Sequence, residues 1–165
     1  VQVNKENLQT VITLIRELQP KICLFPHSID RHPDHYHTHH LCKEAWFYSG
    51  LVKIETKLDG KPQTAFRPDN YFEFMQWYEF QPSFIVDISD TWETKLEVIH
   101  AHSSQFHNPN SKDPETRLSR PEFIELVEVR ARNYGRRIGV KYAEPFFSYI
   151  PLGIKSVFDL VMIRG

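Results

Sequence analysis

The chain has 165 residues, 41% of them hydrophobic, with 20 Lys and Arg residues against 21 Asp and Glu residues. This length suits one domain with its own core, and we predict a single domain over residues 1–165. The balanced charge argues against nucleic acid or an acidic membrane as a partner and favours a small or neutral substrate.

The first two predicted elements are a helix and a strand. Apolar residues recur at the spacing of one helical face up to Leu18, with Asn4 as the N-cap and Pro20 as the stop signal. The apolar run at residues 21–26 follows without alternation and predicts a parallel strand that is covered on both faces. A helix followed by a buried strand predicts a Rossmann-like α/β fold, a layered sheet of mainly parallel strands flanked by helices.

A cluster of histidines follows this strand. Five of the nine histidines of the chain fall in one short stretch, namely His32, His35, His37, His39 and His40. The cluster comes at the carboxyl end of the predicted strand, where open α/β sheets bind their ligands. Pro33 and Asp34 predict the first turn of a second helix, which ends at Gly50.

The rest of the chain predicts further elements of the same fold. Residues 51–69 predict a short hairpin about the turn Asp59-Gly60, and strands are expected at residues 71–77 and 84–88. A capping box of Asp90 with Glu93 predicts the start of a helix that reaches about residue 105. A second box, Ser119 with Glu122, predicts the start of a helix that stops at Gly139. Residues 107–118 predict a surface loop, and residues 142–161 predict strand-like pieces broken by prolines.

Both cysteines, Cys23 and Cys42, lie in strongly apolar segments. This position favours buried thiols in a reducing compartment over a disulfide framework, so the cytoplasm is the predicted location. No apolar run approaches the length that spans a membrane, and residues 1–8 lack the layout of a signal peptide.

The histidine cluster carries the groups that a catalytic zinc site uses. Such a site needs about three protein ligands and one open position for water, and it accepts imidazole and carboxylate. His32, Asp34 and His35 supply these groups, and Pro33 stiffens the turn between them. One alternative is an exposed polar helix face. Another is a metalloprotease-like pair, His35 and His39, but that motif needs Glu after its first histidine and Tyr36 stands there.

The six residues Asp30-Arg31-His32-Pro33-Asp34-His35 resemble the second signature of the LmbE/PIG-L-type N-acetylglucosaminyl deacetylases. Later segments are similar in order and spacing to those of the bacterial branch that deacetylates N-acetylglucosaminyl malate in bacillithiol synthesis. These segments are residues 84–89, Lys95, residues 104–106, residues 130–135 and residues 139–144. The resemblance covers nearly the whole chain. It implies a zinc-dependent hydrolase that acts on a small amino-sugar conjugate.

The resemblance also implies roles for single residues. His35 would be a zinc ligand, and His32 would stabilise the oxyanion or give a proton to the leaving amine. Asp34 would orient His32 through a hydrogen bond, and Arg31 would help to shape the substrate pocket. The apolar segment at residues 71–77 leaves room for a homo-oligomer.

One part of the family pattern is missing. Family members begin with a strand that ends in a His-Pro-Asp-Asp-like motif, which is not found here. We therefore expect this chain to be the later part of such a domain, with its sheet incomplete on the N-terminal side and the rest on another segment or chain. The isolated 165-residue chain is expected to be inactive. The alternatives are a metal-binding module without catalysis and an inactive fragment.

Overall fold

The first helix begins where the side chain of Asn4 accepts a hydrogen bond from the backbone amide of Asn7, at 2.9 Å. In the computed structural model, which describes residues 1–102, 105–106 and 114–160, this helix, α1, spans Lys5–Leu18. Its predicted N-cap is confirmed. The chain then reverses at Gln19, which has a φ of 44° in the left-handed region.

Strand β1 spans Ile22–Pro26 and helix α2 spans Pro33–Ser49, with Gly50 after its last turn, as the sequence predicts. The expectation that both faces of β1 are covered is wrong for the first part of the strand. Ile22 and Leu24 are 51% and 55% exposed, whereas Phe25 is 5% exposed. Alternate side chains of a strand point to opposite faces, so the described residues cover one face of β1 much better than the other.

The predicted Asp59-Gly60 turn joins two short antiparallel strands, β2 at Lys57–Leu58 and β3 at Lys61–Pro62. Strand β4 spans Asn70–Phe74 and is shorter than predicted. Beyond it, the backbone amide of Trp77 bonds to the side chain of Asp30 at 2.9 Å, a partner outside the sheet.

The main sheet contains β1, β4, β5 at Phe84–Asp87 and β6 at Ala143–Phe147, in the order β1-β4-β6-β5. Strand β1 is parallel to β4, and β4 is antiparallel to β6. Strand β4 is therefore paired on both sides, by β1 and by β6. Strand β6 runs through Pro145, where the sequence predicted a break, because Phe146 and Phe147 make the pairs with β4.

The chain divides into two compact units, residues 1–83 with 146–152 and residues 84–145 with 153–165. In the first unit, Ile12, Ile15 and Ala45 form a buried cluster between α1 and α2. Arg16 is also buried there, at 4% exposure. Its guanidinium donates to four acceptors, the carbonyls of Ser49, Leu51 and Ile54 and the hydroxyl of Thr56.

The second unit has its own core, in which Trp92 stacks on Tyr142 with ring centroids 4.2 Å apart and Ala131 is also buried. Helix α3 spans Trp92–Ala101, and α4 spans Glu122–Ile138. Helix α4 ends at Gly139, whose φ of 80° suits glycine, as predicted. Helix α3 ends four residues before the predicted position. The described part of the chain does not include residues 107–113 of the predicted loop or residues 161–165 of the tail.

Both predicted capping boxes are wrong. Ser89–Thr91 forms a 3-10 turn before α3, so Thr91 and not Asp90 occupies the cap position, and no side chain caps the helix. The hydroxyl of Ser119 instead bonds within the preceding turn, where it accepts from the amide of Thr116 at 2.8 Å. Helix α4 therefore starts without a side-chain cap.

The predicted α/β architecture is confirmed, with a central sheet of mostly parallel strands and flanking helices. The prediction of one domain over the whole chain stays a prediction. Within the described residues, no helix combines the length and the apolar character that crossing a membrane requires.

Candidate active site

The candidate site is built on the segment between β1 and α2. Strand β1 ends at Pro26, and α2 starts at Pro33, so the signature residues lie at the carboxyl end of a parallel strand. His32 is the N-cap of α2, and its Nδ1 accepts a hydrogen bond from the backbone amide of Asp34 at 3.1 Å. This bond holds the ring of His32 against the first turn of the helix. The rings of His32 and His35 lie side by side, with centroids 5.2 Å apart.

Asp30 connects these residues. Its side chain is 1% exposed. Oδ1 lies 2.7 Å from Nδ1 of His35 and accepts from the amide of His32 at 3.2 Å, while Oδ2 accepts from the amide of Trp77 at 2.9 Å. Burial alone would raise the pKa of Asp30, but these hydrogen bonds outweigh it and lower the pKa below its ordinary value. Asp30 is therefore an ionised carboxylate with partners on both oxygens.

The protonation of His35 follows from the charge of Asp30. An ionised carboxylate has no proton to donate, so the Nδ1 of His35 carries the hydrogen in this bond. The Nε2 of a neutral His35 is then the nitrogen with a free lone pair. His35 is partly accessible, with 36% of its side chain exposed.

Asp34 contacts His32 only through its backbone amide, as described above. Its carboxylate is exposed, with 53% of the side chain accessible. The structure thus brings Asp34 and His32 together through a hydrogen bond from the backbone amide of Asp34. The role of Asp34 in orienting His32 stays a prediction.

Arg31 is exposed and stacks on an aromatic ring. Its guanidinium carbon lies 4.5 Å from the ring centroid of Trp77, a cation–π distance. Trp77 was not among the predicted site residues. Its backbone amide donates to Asp30, which also bonds to the amide of His32 and the ring of His35.

A second buried carboxylate, Glu73 on β4, was missed in the sequence. It is 0% exposed, and its Oε2 lies 2.6 Å from Nδ1 of His27 and accepts from the amide of Ser28 at 3.2 Å. The hydroxyl of Tyr149 donates to the hydroxyl of Ser28 at 3.1 Å. A single glutamate inside the aromatic run at residues 71–77 was the available signal, because buried carboxylates need partners.

His39 of α2 lies against strands β1 and β4. It is 0% exposed, and its Nδ1 is 3.0 Å from the carbonyl of Pro26 and 3.4 Å from Oε1 of Glu73. Burial lowers the pKa of His39 and outweighs the opposing effect of Glu73. A neutral imidazole at this position packs with β1 and β4.

His35 fits one position of a metal site. Metal-bound histidines usually donate their other ring nitrogen to a carboxylate or a carbonyl, and the bond from His35 to Asp30 has this form. Across residues 1–102, 105–106 and 114–160, however, no three His, Cys, Asp or Glu side chains are grouped so that they could hold a metal ion. The described residues therefore offer a ligand of suitable chemistry without a complete set.

In the second unit, two of the segments noted in the sequence come together. Nζ of Lys95 on α3 forms an ion pair with Oε1 of Glu144 on β6. Both side chains are about one-third exposed, at 30% and 35%. This pair joins two segments that resemble the deacetylase family.

The diacetylchitobiose deacetylase of Thermococcus kodakarensis is 30% identical to this chain over 150 residues. The chain is homologous to diacetylchitobiose deacetylase. That enzyme is placed in the LmbE/PIG-L-like deacetylase family, which is the family that the signature resembles. The match covers 85% of this chain but 49% of the relative, so the chain spans about half the length of this relative. No protein-family model matches the chain.

Solved structures extend the likeness to the diacetylchitobiose deacetylase fold. A conserved protein of Thermus thermophilus superposes with a TM-score of 0.78 at 28% identity, over 93% of this chain and 62% of that one. The N,N'-diacetylchitobiose deacetylase of Pyrococcus horikoshii, solved with an inhibitor, gives 0.63 at 25% identity, over 96% and 57% of the two chains. The 4-carboxy-2-hydroxymuconate hydratase of Pseudomonas putida gives 0.68 at 19% identity, over 94% and 62%, and this match shows the fold alone.

Proposed function

We propose that the protein containing this chain is a zinc-dependent deacetylase that hydrolyses the acetamide group of an N-acetylglucosaminyl conjugate. One observation carries the proposal. In a chain homologous to diacetylchitobiose deacetylase, buried Asp30 holds His35 beside His32 at the carboxyl end of β1. An orienting carboxylate, a candidate ligand and a second imidazole are groups that metal-assisted amide hydrolysis uses.

His35 would hold the metal through Nε2, because Asp30 occupies its Nδ1. A bound zinc ion supplies a Lewis acid and lowers the pKa of a water molecule toward about 7. The described residues contain no group of three possible ligands, so the further ligands would come from residues outside the described part. We accordingly propose that the isolated chain of 165 residues is inactive, since a lone imidazole binds zinc weakly.

His32 has a separate task. Its Nδ1 accepts from the Asp34 amide, so its hydrogen lies on Nε2, and the ring can donate from that side. During hydrolysis, the oxygen of water bonds to the acetyl carbon, and negative charge develops on the carbonyl oxygen. The Nε2–H of His32 would donate a hydrogen bond to this developing charge, and the proton released by the attacking water would reach the amine as the carbon–nitrogen bond breaks. The products are acetate and the free amino sugar.

The substrate enters beside Arg31 and Trp77, which contact each other next to the histidines. The group attached to the sugar has two candidates. The sequence resemblance favours malate, and hence a step of bacillithiol synthesis. The homology with diacetylchitobiose deacetylase favours a second N-acetylglucosamine. A guanidinium forms charge-assisted hydrogen bonds with malate, whereas an aromatic ring packs against the face of a sugar. A malate conjugate would therefore depend on Arg31, and a second sugar would depend on Trp77.

The other proposed properties follow from composition. We propose that the enzyme is cytoplasmic and binds neither nucleic acid nor membrane. We also propose that it can form a homo-oligomer. The competing proposal is a module that binds metal without catalysis. It predicts zinc binding with no release of acetate from either conjugate.

The test uses the full-length protein that contains this chain. We expect acetate release from at least one of the two conjugates, loss of this activity with a chelator, and recovery when zinc is added. His32→Ala should lower kcat about 100- to 10,000-fold while zinc stays bound, and His35→Ala should weaken zinc binding itself. His40→Ala is the matched control, because His40 is an exposed histidine of the same helix. Full turnover by His35→Ala would refute the proposal.

A further inference from the structure

Asp30 uses both carboxylate oxygens, and its partners come from two different segments of the chain. They are the amide of His32 and the ring of His35 on one side and the amide of Trp77 on the other. We propose that Asp30 is a positioning residue that fixes the tautomer of His35 and ties the ring to the Arg31–Trp77 pair. This inference rests on the proposed function for its link to zinc, but its geometry concerns this chain alone.

The first link sets the direction of the His35 ring. A bond of 2.7 Å from Nδ1 to a buried carboxylate restricts rotation of the ring and keeps the hydrogen on Nδ1. The lone pair of Nε2 is then directed to the opposite side. Without Asp30, the ring could rotate and carry its hydrogen on either nitrogen. Zinc affinity would fall because zinc needs an unprotonated nitrogen in a fixed position.

The second link sets the position of Trp77. Its amide bonds to Oδ2, and its ring is the surface on which the guanidinium of Arg31 stacks at 4.5 Å. Trp77 lies 47 residues from Asp30 along the chain. The carboxylate thus joins the segment after β1 to the segment after β4.

A purely local role for Asp30 would look different. An aspartate that shapes only its own turn needs just the bond from its side chain to the amide two residues later, here His32 at 3.2 Å. Asparagine makes this turn equally well. The bonds to His35 and Trp77 are additional, and they need acceptors on both sides of the side chain.

Asp30→Asn separates the two roles. Asparagine has one oxygen and one NH₂ group, so it cannot accept on both sides. If its oxygen faces His32 and His35, its NH₂ group opposes the Trp77 amide. If it is turned the other way, His35 must move its hydrogen to Nε2. Either orientation keeps a side chain of the same size and breaks one of the two links.

The experiment measures histidine tautomers by nitrogen-15 NMR in the metal-free full-length protein, with His35 assigned from His35→Gln. The unmodified protein should show hydrogen on Nδ1 of His35. Asp30→Asn should shift this tautomer or increase hydrogen exchange at the Trp77 amide, and a zinc titration should show an affinity about 10- to 100-fold lower. Asp59→Asn, at an exposed turn, is the control and should change none of these three quantities.

Hydrogen on Nε2 of His35 in the unmodified protein would overturn the inference, and this measurement holds even if Asp30→Asn fails to fold. Unchanged zinc affinity, tautomer and Trp77 exchange in a folded Asp30→Asn protein would overturn it equally. A protein that shows the expected tautomer but neither binds zinc nor releases acetate would refute the proposed function while the role of Asp30 in orienting His35 stands.

Discussion

Oε2 of Glu73 lies 2.6 Å from Nδ1 of His27, and the Glu73 side chain is fully buried. Together with Asp30, this carboxylate anchors the connection between β1 and α2 at both ends. Glu73 holds His27 and the amide of Ser28, and Asp30 holds the amide of His32 and the ring of His35. Two buried carboxyl groups therefore position a segment that has no regular secondary structure of its own.

Glu73→Gln should destabilise the protein by about 1.5–3 kcal/mol, the usual size of a hydrogen bond to a charged group. Glutamine either keeps a weaker acceptor toward His27 or directs its NH₂ group at the amide of Ser28. The change is read from the free energy of unfolding in urea. Glu44→Gln is the control, because Glu44 is exposed on α2, and its effect should stay within about 0.5 kcal/mol. Equal stability of the two variants would show that the Glu73 contacts contribute little.

His39 should make the protein less stable in mild acid. Its pKa in the folded state lies below the ordinary value of 6.5, so the unfolded chain takes up a proton that folded His39 does not bind. Stability therefore falls as the pH drops below about 6.5, by at most about 1.4 kcal/mol per pH unit for this one group. His39→Gln should flatten this slope below about pH 6.5.

The control for this pH dependence is His40→Gln, since His40 is the exposed neighbour of His39. Unfolding free energies are measured across the pH range for both variants and for the unmodified protein. If the slope of His39→Gln equals that of the unmodified protein, His39 does not carry the acid sensitivity.

Arg16→Lys should lower the free energy of unfolding by about 3 kcal/mol, because charge-assisted hydrogen bonds of about 1.5–3 kcal/mol each are lost. The planar guanidinium of Arg16 reaches acceptors on the α2 end, Ser49, and on the segment after it, Ile54 and Thr56. A lysine ammonium keeps the charge but cannot span these groups. Arg120→Lys, in an exposed ion pair with Glu115, should change stability by less than about 1 kcal/mol.

Cys42 should be a slow thiol. Burial, with a smaller contribution from Cys23, raises its pKa to about 11. Because the thiolate is the reactive form, a Cys23→Ser protein should react with Ellman's reagent at about pH 8 on the order of 100-fold more slowly than free cysteine. Unfolding in guanidinium should restore an ordinary rate. Rapid labelling of the folded protein would contradict the burial of Cys42.

Both thiols are unbonded and half-buried, so the expectation that they are buried was too strong.

The sequence was sufficient to predict helix ends where a single residue fixes the backbone conformation. Asn4 caps α1, Pro33 opens α2 and Gly139 ends α4, because each restricts or satisfies the chain by its own covalent structure. The signature at Asp30 to His35 and the order of helices and strands were likewise sufficient to predict an α/β fold.

Tertiary structure decided which groups meet. Asp30 and Trp77, or His27 and Glu73, lie 47 and 46 residues apart along the chain and become partners only because β1 and β4 are neighbours in the sheet. The two capping boxes failed for a related reason, since a 3-10 turn puts Thr91 instead of Asp90 at the cap position of α3, and Ser119 bonds within the turn before α4. Propensity and spacing report the preferences of short segments, whereas a buried carboxylate takes whichever donors the fold brings to it.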